Sequence, residues 1–359
     1  MSTISTIAPL LSLRGVSRTF TTRRTLLGRP RDVVRAVNDV SLDIAAGETL
    51  GVVGESGSGK STLGRVALRL IEPDRGTIEF DGRDLLGIDG GDLRRQRQRM
   101  TVIFQDPYTS LDPRWTVERL VAEPLRIAGG TSPADQRDRV VDALRRVGLE
   151  PDVLTRRPRG FSGGQRQRIV IARALVTRPK LVFCDEPVSA LDVSTRARVL
   201  GLLRELQVET GLAYLFVSHD LGVVEAVSDR IAVMYLGSIV EIGDAETVAQ
   251  RYGHPYTAAL VSASPAPDPL DRGATKRIVP RGEPPSPITP PSGCAFHPRC
   301  PLAQPVCTTE KPPLRADADG HTVACHVTAD DRRLRGTDLL DLLRGDPTMN
   351  LLTPEGSPT

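Results

Sequence analysis

Short apolar runs alternate with segments of helical periodicity over most of the chain, from about residue 10 to residue 264. Three of these runs, residues 50–54, 181–184 and 213–218, are bounded by turn-forming or polar residues. Uninterrupted apolar runs of this length are typical of strands that are buried on both faces of a parallel sheet. They therefore predict a mainly parallel sheet in the interior of the protein.

The segment from residue 132 to residue 148 shows the contrasting pattern of a helix. Ser132 followed by Pro133 is a favourable helix start, and apolar residues then recur at helical spacing as far as Val147, where Gly148 follows as a stop. Strands that alternate with such helices are typical of an α/β domain. The sequence has no internal repeat, which indicates one such domain rather than two.

The pattern changes in three places. Residues 21–35 are rich in arginine and predict an exposed loop between two early strands. Residues 265–291 contain nine prolines, too many for regular structure. Beyond residue 327 the chain is charged and then rich in Pro, Gly and Ser, which predicts disorder apart from a helix over 337–343. We therefore divide the chain into a domain over 1–264, a small C-terminal domain over 265–327 and a tail over 328–359.

Hydropathy and charge exclude several classes of protein. No run of about 18 apolar residues is present, so no membrane-spanning helix is predicted. The first residues lack the basic start of a secretory signal, and we expect the chain to act in the cytosol. The 47 basic and 44 acidic residues nearly balance, which gives no basic surface of the kind that nucleic-acid-binding proteins use.

A glycine-rich sequence follows the first of the three apolar runs. It fits the pattern G-x-x-x-x-G-K-[ST] at every fixed position and precedes a helical pattern. Its residues, which we call the phosphate loop, are Gly54, Glu55, Ser56, Gly57, Ser58, Gly59, Lys60 and Ser61, and Thr62 follows. Glycines let backbone N–H groups turn toward phosphates, and the next helix adds its positive end. We expect Lys60 to reach the β- and γ-phosphates and the Ser61 hydroxyl to ligate Mg²⁺.

Two carboxylates, Asp185 and Glu186, end the second apolar run. A strand end beside a phosphate loop is where a magnesium-organising aspartate belongs, and a neighbouring glutamate can polarise an attacking water. An Asp-Glu pair after a strand is more often a helix cap or a solvated corner. The phosphate loop in the same chain favours the functional interpretation.

A third motif resembles the signature of ATP-binding cassette (ABC) ATPases, and the order of motifs along the chain is also similar to that family. The signature residues are Phe161, Ser162, Gly163, Gly164 and Gln165. The resemblance implies a P-loop NTPase fold, with a RecA-like core, an antiparallel β-subdomain and a helical subdomain at about residues 106–160. It also implies that the signature contacts the γ-phosphate of ATP held by a partner cassette, as a helix N-terminus with small residues can bind an anion.

Four further positions match the ABC family one at a time. Gln105 resembles the Q-loop glutamine, which links Mg²⁺ and water to the helical region that meets the membrane subunit. His219 resembles the switch histidine, which contacts the γ-phosphate, and Asp192 resembles the D-loop aspartate at the dimer interface. Phe20 resembles the aromatic residue that stacks on adenine, although the segment 21–35 lengthens its distance from Lys60.

The resemblance implies a division of labour in ATP hydrolysis. Two cassettes close head to tail on two ATP molecules, and Glu186 aligns the attacking water. Lys60, His219 and Gln105 complete the catalytic residues of each cassette, and the Mg²⁺ ligands are Ser61, Gln105 and Asp185. Reopening after hydrolysis would move whatever is docked on the helical subdomain.

Four of the five cysteines fall in the last 66 residues: Cys294, Cys300, Cys307 and Cys325. Four thiols in a proline-rich segment with little apolar content predict a fold stapled by metal. The spacing contains no C-x2-C pair and so is not that of a zinc ribbon, whereas four cysteines also suit a [4Fe–4S] cluster. A zinc site remains an alternative, with substitute ligands His297, His321 and His326. Four reduced buried cysteines remain another, and Cys184 lies in a predicted buried strand as core packing.

The segments around the cysteines narrow the resemblance to one subfamily. Residues 254–257, 282–286 and 291–300 resemble the C-terminal extension of dipeptide/oligopeptide importer ATPases, as do residues 104–113 and 235–237. This resemblance covers about residues 10–327. It implies a peripheral subunit on the cytoplasmic face of a bacterial membrane that powers peptide uptake. The implied partners are a second, similar ATPase, two permeases and an external peptide-binding protein, and the extension resembles one that can carry an iron–sulfur cluster.

Other functions remain as alternatives. ATPases of the same importer family also serve nickel chelates or glutathione, because the binding protein and permease choose the substrate. ABC-type DNA-repair ATPases insert coiled coils or zinc fingers within the cassette, whereas this cassette runs uninterrupted from Gly54 to His219. A soluble translation-factor ATPase would require two tandem cassettes. The sequence therefore favours the peptide importer.

Overall fold

The structure is a computed structural model and describes residues 8–24, 30–263, 277–328, 334–345 and 350–352. The strands are β1 (Leu11–Arg24), β2 (Pro30–Ile44), β3 (Thr49–Val53), β4 (Arg75–Phe80), β5 (Arg83–Asp84), β6 (Met100–Ile103), β7 (Leu181–Asp185), β8 (Ala213–Ser218), β9 (Arg230–Tyr235), β10 (Ser238–Asp244), β11 (Arg277–Val279), β12 (Arg315–Ala316), β13 (Thr322–Val323) and β14 (Asn350–Leu352). The α-helices are α1 (Lys60–Ala67), α2 (Gly90–Arg97), α3 (Pro107–Ser110), α4 (Val117–Ala128), α5 (Pro133–Arg146), α6 (Gly163–Leu175), α7 (Val193–Thr210), α8 (Leu221–Val227), α9 (Ala245–Gln250), α10 (Pro255–Ala263), α11 (Pro305–Thr309) and α12 (Gly336–Gly345).

A central sheet of order β12-β13-β10-β9-β3-β8-β7-β6 crosses the interior. The strands from β9 to β6 are parallel, and β3, β7 and β8 are buried along their whole length. This confirms the three buried parallel strands that the apolar runs predict. Because the carboxyl ends of parallel strands meet at one edge of a sheet, the loops after β3, β7 and β8 lie next to one another.

A second, antiparallel sheet has the order β2-β1-β4-β5. Its longest pairing joins β1 to β2, and it includes the pairs Thr21–Val33 and Thr19–Arg35. The exposed loop that we expected over 21–35 is therefore wrong at both ends, where the chain continues as strand. Pairing between β1 and β2 satisfies the backbone hydrogen-bonding groups there. The amino-acid composition of the segment does not indicate this pairing. Residues 25–29 lie outside the described part of the chain.

Helices α3, α4 and α5 pack against α6, which also packs against β6, and we call these four helices the helical layer. The helix predicted over 132–148 is present as α5, with the Ser132 side chain accepting from the Asp135 N–H and Gly148 following at φ 70°. Its apolar face buries Val140 and Leu144 in the main hydrophobic core. The predicted helical subdomain at about residues 106–160 corresponds to α3, α4 and α5 with their connections.

The segment from residue 277 to residue 328, which we call the C-terminal segment, continues the fold of the cassette. Its strand β13 pairs antiparallel with β10, so that β13 and β12 extend the central sheet. Phe296 is buried in the main core, where its ring lies 5.3 Å from that of Tyr235. The segment that we divided off as a small domain thus shares both a sheet and a core with the cassette. Residues 264–276, which hold the first prolines of the connection, lie outside the described residues.

The helix that we expected within the tail is present and packs on the rest of the structure. Helix α12 covers the predicted helix over 337–343, and it buries Leu339, Leu340 and Leu343 against a cluster that includes Tyr252 and Ile278. Strand β14 pairs with β11. The described part of the chain does not include the tail residues 329–333, 346–349 and 353–359. Across the described ranges, no helix combines the length and the apolar character needed to cross a membrane.

Candidate functional site

The phosphate loop joins the end of β3 to the start of α1. Gly59 precedes the helix with φ of 104°, and a Cβ atom at this position would lie 1.9 Å from the carbonyl oxygen of Ala36. Only glycine accepts this backbone conformation together with so close an approach. The glycine pattern of the motif is therefore required by the geometry of the loop itself.

Lys60 is the first residue of α1, and its ammonium group points back into the phosphate loop. Nζ donates hydrogen bonds to the carbonyl oxygens of Gly54 at 2.7 Å and of Glu55 at 2.9 Å. Burial lowers the pKa of Lys60, and the carboxylates of Glu186 and Asp185 act against that effect. A buried cation whose partners are neutral carbonyl oxygens can exchange them for phosphate oxygens, with which it forms stronger, charge-assisted bonds.

Ser61 and Asp185 meet beside Lys60. The Ser61 hydroxyl donates to Oδ1 of Asp185 at 2.6 Å, and Arg65 lies 3.5 Å from the other carboxylate oxygen. Asp185 is buried at the end of β7. Hydroxyl, carboxylate and water oxygens are the ligands that Mg²⁺ prefers, and so this pair fits a magnesium ion next to bound phosphates.

Glu186 follows β7 directly and has φ of 50°, a left-handed conformation that is uncommon outside glycine and that concentrates at functional sites. Its Oε2 accepts a hydrogen bond from Nε2 of Gln105 at 3.1 Å and lies 3.2 Å from Nδ1 of His219. Gln105 lies just after β6 and His219 just after β8, on either side of β7 in the sheet. Three neighbouring strands thus bring Gln105 and His219 to the same carboxylate oxygen of Glu186.

The signature residues begin helix α6. The Ser162 hydroxyl accepts from the Gln165 N–H at 3.3 Å, and the Gln165 side chain accepts from the Ser162 N–H at 3.1 Å, which makes a capping box. Gly163 is the first residue of the helix. A Cβ atom on Gly164 would lie 2.5 Å from Cγ2 of Thr195, because the start of α6 packs closely on the start of α7.

Two predicted residues lie apart from this catalytic group. Asp192 caps α7, where its carboxylate accepts from the Thr195 N–H at 3.0 Å and from the Ser194 hydroxyl at 2.7 Å. These bonds hold the pKa of Asp192 below its usual range. Phe20 lies on β1, with the Arg18 guanidinium 4.9 Å from the centre of its ring.

Comparisons with known proteins agree with this arrangement. Residues 37–189 match the ABC transporter family, and residues 240–307 match the oligopeptide/dipeptide transporter C-terminal region. A putative peptide import ATP-binding protein from Brucella ovis is 51% identical over 320 residues, which cover 89% of this chain and 98% of that protein. The chain belongs to the ATP-binding proteins of peptide ABC transporters. AppF, an oligopeptide transport ATP-binding protein from Bacillus subtilis, is 47% identical over 321 residues, which cover 89% of this chain and 97% of AppF.

Solved cassettes show the same fold as this member of the family. The cassette MJ0796, solved as a dimer in a post-hydrolysis state bound to ADP and Pi, superposes with a TM-score of 0.57 at 29% identity. The match covers 66% of this chain and 98% of that one. The protein therefore has the ABC ATPase cassette fold and is an ATPase, and ATP with Mg²⁺ is its expected nucleotide complex.

The four C-terminal cysteines of this family member are reduced and lie near one another. Burial raises the pKa of the Cys294 thiol to about 11, and the other thiols of the group add to this effect. Burial likewise raises the pKa of Cys300, which is also influenced by Cys325, Cys294 and Cys307. Within the described ranges, however, no group of three or more His, Cys, Asp or Glu side chains could hold a metal ion. The structure therefore does not show the predicted metal-binding extension.

The histidines that we considered as zinc ligands are engaged elsewhere. His297 donates from Nδ1 to the Cys294 carbonyl oxygen at 2.9 Å, and His326 donates from Nε2 to the Glu310 carbonyl oxygen at 2.9 Å. His321 is buried and lies 2.7 Å from the Glu241 carboxylate. Cys184 is buried in β7, as expected, and burial raises the pKa of its thiol.

Sequence reasoning missed how the C-terminal segment reaches the phosphate loop. Arg299 forms an ion pair with Glu55 at 3.1 Å, and the Tyr256 hydroxyl accepts the Glu55 N–H at 2.7 Å. Both residues lie in segments that we noted for family resemblance, 254–257 and 291–300, but without a role. A basic residue beside a predicted cysteine ligand gives no sign of its distant partner.

Proposed function

We propose that this ABC ATPase drives the uptake of dipeptides or oligopeptides across a bacterial cytoplasmic membrane. The observation that carries the proposal is that Gln105 and His219 meet at one carboxylate oxygen of Glu186. This oxygen lies at the sheet edge that also carries Lys60 and the phosphate loop. The names of the relatives as peptide import and oligopeptide transport proteins support peptides as the substrate class. Those names give no support to nickel chelates or glutathione.

We assign the nucleotide-binding roles from the geometry of the phosphate loop. Residues 54–62 present backbone N–H groups and the N-terminus of α1 to the phosphates, and Lys60 exchanges its carbonyl partners for β- and γ-phosphate oxygens. Ser61, Asp185 and Gln105 hold Mg²⁺, which when bound neutralises charge on the phosphate oxygens. Phe20 stacks on the adenine base.

Glu186 carries the hydrolytic step in this proposal. Its carboxylate accepts a hydrogen bond from the attacking water and orients that water in line with the γ-phosphorus. Gln105 and His219 hold the carboxylate in place, and His219, with more than half of its side chain exposed (57%), is accessible for a bond to the γ-phosphate. The developing negative charge is stabilised by Lys60.

A second cassette completes each site. Ser162 accepts from the Gln165 N–H, and a hydroxyl has one proton left to donate, so this residue can bond a γ-phosphate without giving up its cap. The small residues Gly163 and Gly164 leave the N-terminus of α6 open to such an anion. Asp192 lies at the start of the neighbouring helix α7, where it would meet the partner cassette.

Glu186→Gln tests the proposed chemistry. The amide keeps the shape of the side chain but cannot accept a proton from water, so ATP turnover should fall at least 100-fold while ATP binding is retained. ATP without hydrolysis should then hold two copies together, which size-exclusion chromatography with Mg²⁺ and ATP measures directly. Glu225→Gln, which alters an exposed residue of α8, is the matched control and should hydrolyse ATP as the unaltered protein does. Near-normal hydrolysis by the Glu186 variant would contradict the assignment.

The transport partners follow from the proposed function. We infer two permease subunits, a peptide-binding protein outside the cell and a second ATPase that is similar to this one, with the chain held at the cytoplasmic face of the membrane. A groove between the core and the helical layer exposes the apolar side chains of Leu70 and Phe104, next to Gln105. A permease helix bound there would be linked directly to the catalytic glutamine.

We further propose that the four C-terminal cysteines hold a [4Fe–4S] cluster. The proposal is supported by the four free thiols and by the effect of Cys307 and Cys325 on the pKa of both the Cys294 and the Cys300 thiol, and four cysteines suit such a cluster. Protein purified without oxygen should contain iron and acid-labile sulfide and should absorb visible light. Stoichiometric zinc without visible absorption would show that the zinc alternative is correct. Cys184→Ser should change neither metal content nor spectrum, and Cys300→Ser should change both.

A further inference from the structure

The C-terminal segment reaches the nucleotide site through one charged side chain. Arg299 ends a short 3-10 helix, His297–Arg299, and directly precedes Cys300. Its Nη1 atom lies 3.1 Å from both Oε1 and Oε2 of Glu55, the second residue of the phosphate loop. The Arg299 side chain is 8% exposed and that of Glu55 31%, so this ion pair is largely removed from solvent. The pair therefore joins two segments that are 244 residues apart.

Glu55 is held by four contacts. Its carboxylate contacts Arg299, and its N–H donates to the Tyr256 hydroxyl at 2.7 Å. Its carbonyl oxygen accepts from Lys60 at 2.9 Å and from the Ser58 N–H at 3.1 Å. Tyr256 is buried against the rings of Tyr235, at 4.6 Å, and of Phe296, at 5.5 Å. Two of the four contacts, those of Arg299 and Tyr256, thus come from outside the phosphate loop.

Nucleotide binding changes the balance among these restraints. When Lys60 turns to the phosphates it gives up the Glu55 carbonyl oxygen, and from outside the phosphate loop Tyr256 and Arg299 then hold this residue. A carboxylate in the phosphate loop also repels the negative charge of ATP. The Arg299 guanidinium offsets that charge, and the contact of its Nη1 atom with both carboxylate oxygens fixes the direction of the carboxylate.

We propose that Arg299 is a positioning residue for the ATP site, which acts through Glu55 to hold the phosphate loop and to neutralise its carboxylate. The inference rests on the proposed function, since it assumes that this loop binds ATP. It makes the C-terminal segment a working part of the nucleotide site.

The test is the steady-state kinetics of ATP hydrolysis by the full chain. Arg299→Met leaves the Glu55 carboxylate partly buried and without its partner, and should raise KM for ATP about tenfold with kcat within about twofold of the unaltered protein. Arg299→Lys keeps the charge but replaces the planar guanidinium with a more flexible ammonium group, and should raise KM about threefold. Lys311→Met, an exposed cation of the same segment, is the matched control and should leave KM unchanged.

The double variant distinguishes positioning from a purely structural role. In Arg299→Met with Glu55→Gln no uncompensated carboxylate remains, so KM should return to within about threefold of the unaltered value. A double variant as impaired as Arg299→Met, or an Arg299→Met protein with unchanged KM, would overturn the proposal. Thermal unfolding of each variant identifies loss of fold, and if Arg299→Met does not fold, an unchanged KM for Arg299→Lys overturns the proposal by itself. Absence of ATP hydrolysis in the unaltered protein would instead contradict the proposed function.

Discussion

Burial determines how individual titratable side chains of this protein behave. Lys60 has a lowered pKa because it is buried in the phosphate loop, and nearby carboxylates oppose this effect by favouring the charged ammonium group. His254 is buried completely and lies at the start of α10, where its Nδ1 accepts the Tyr256 N–H at 3.1 Å. That bond requires a ring nitrogen without a proton, so the folded state favours neutral His254.

Stability should fall in mild acid because of His254. Burial lowers its pKa to about 4, against about 6.5 in the unfolded chain, so the unfolded state binds more protons between these values. The contribution is complete above pH 6.5 and is lost as pH falls toward 4, by about 2 kcal/mol between pH 8 and pH 5. Urea unfolding at both pH values measures the free energy of unfolding. His254→Asn keeps an acceptor without this titration and should lose about 2 kcal/mol less than the unaltered protein over that range. Equal losses in the two proteins would contradict the assignment.

The N-termini of helices α1 and α6 differ in how their first N–H groups are used. Helix α1 begins at Lys60, so its N-terminus faces the phosphate loop. Helix α6 begins with a capping box, which satisfies the N–H groups of Ser162 and Gln165, while the Ser162 hydroxyl can still donate. We therefore assign the first N-terminus to the chain's own nucleotide and the second to the nucleotide of a partner.

Helix α12 is held in the structure by the packing of its apolar side chains. Leu339→Ala removes a fully buried side chain and should reduce the free energy of unfolding by about 3 kcal/mol. Leu342→Ala in the same helix alters a side chain that is 43% exposed, and should cost about 0.5 kcal/mol or less. Chemical unfolding monitored by far-ultraviolet circular dichroism compares the two variants. Similar midpoints for both would show that α12 does not contribute to the folded core.

The central sheet joins the C-terminal segment to the cassette. Strand β13 adds to β10, and the buried Glu241 of β10 accepts hydrogen bonds from the N–H groups of Gly253 and His254. His321 lies 2.7 Å from the same carboxylate and comes from the C-terminal segment. A buried carboxylate with several donors is stable only while all of them are in place. The C-terminal segment is thus fastened to the cassette at its sheet, at its aromatic core and at the phosphate loop.

Much of the catalytic site could be predicted because its signals are local. The phosphate loop, the Asp-Glu pair and the signature each occupy a few consecutive residues, and their order follows from the strands that end beside them. Phe20 lies further from these signals, and its role, like the roles of the other site residues, stays a prediction. The β1–β2 hairpin and the packing of α12 could not be predicted, because both depend on partners distant in sequence.

The sequence by itself determined the α/β class, the buried parallel strands and the helix starts, and it supplied the candidate residues of the nucleotide site. Backbone chemistry explains this, since glycine spacing, caps and apolar runs act within a few residues. Only the tertiary structure decided that Glu186 meets Gln105 and His219, and that Arg299 meets Glu55. It also decided that the C-terminal segment joins the central sheet, because strand pairing and ion pairing depend on which segments the fold brings together.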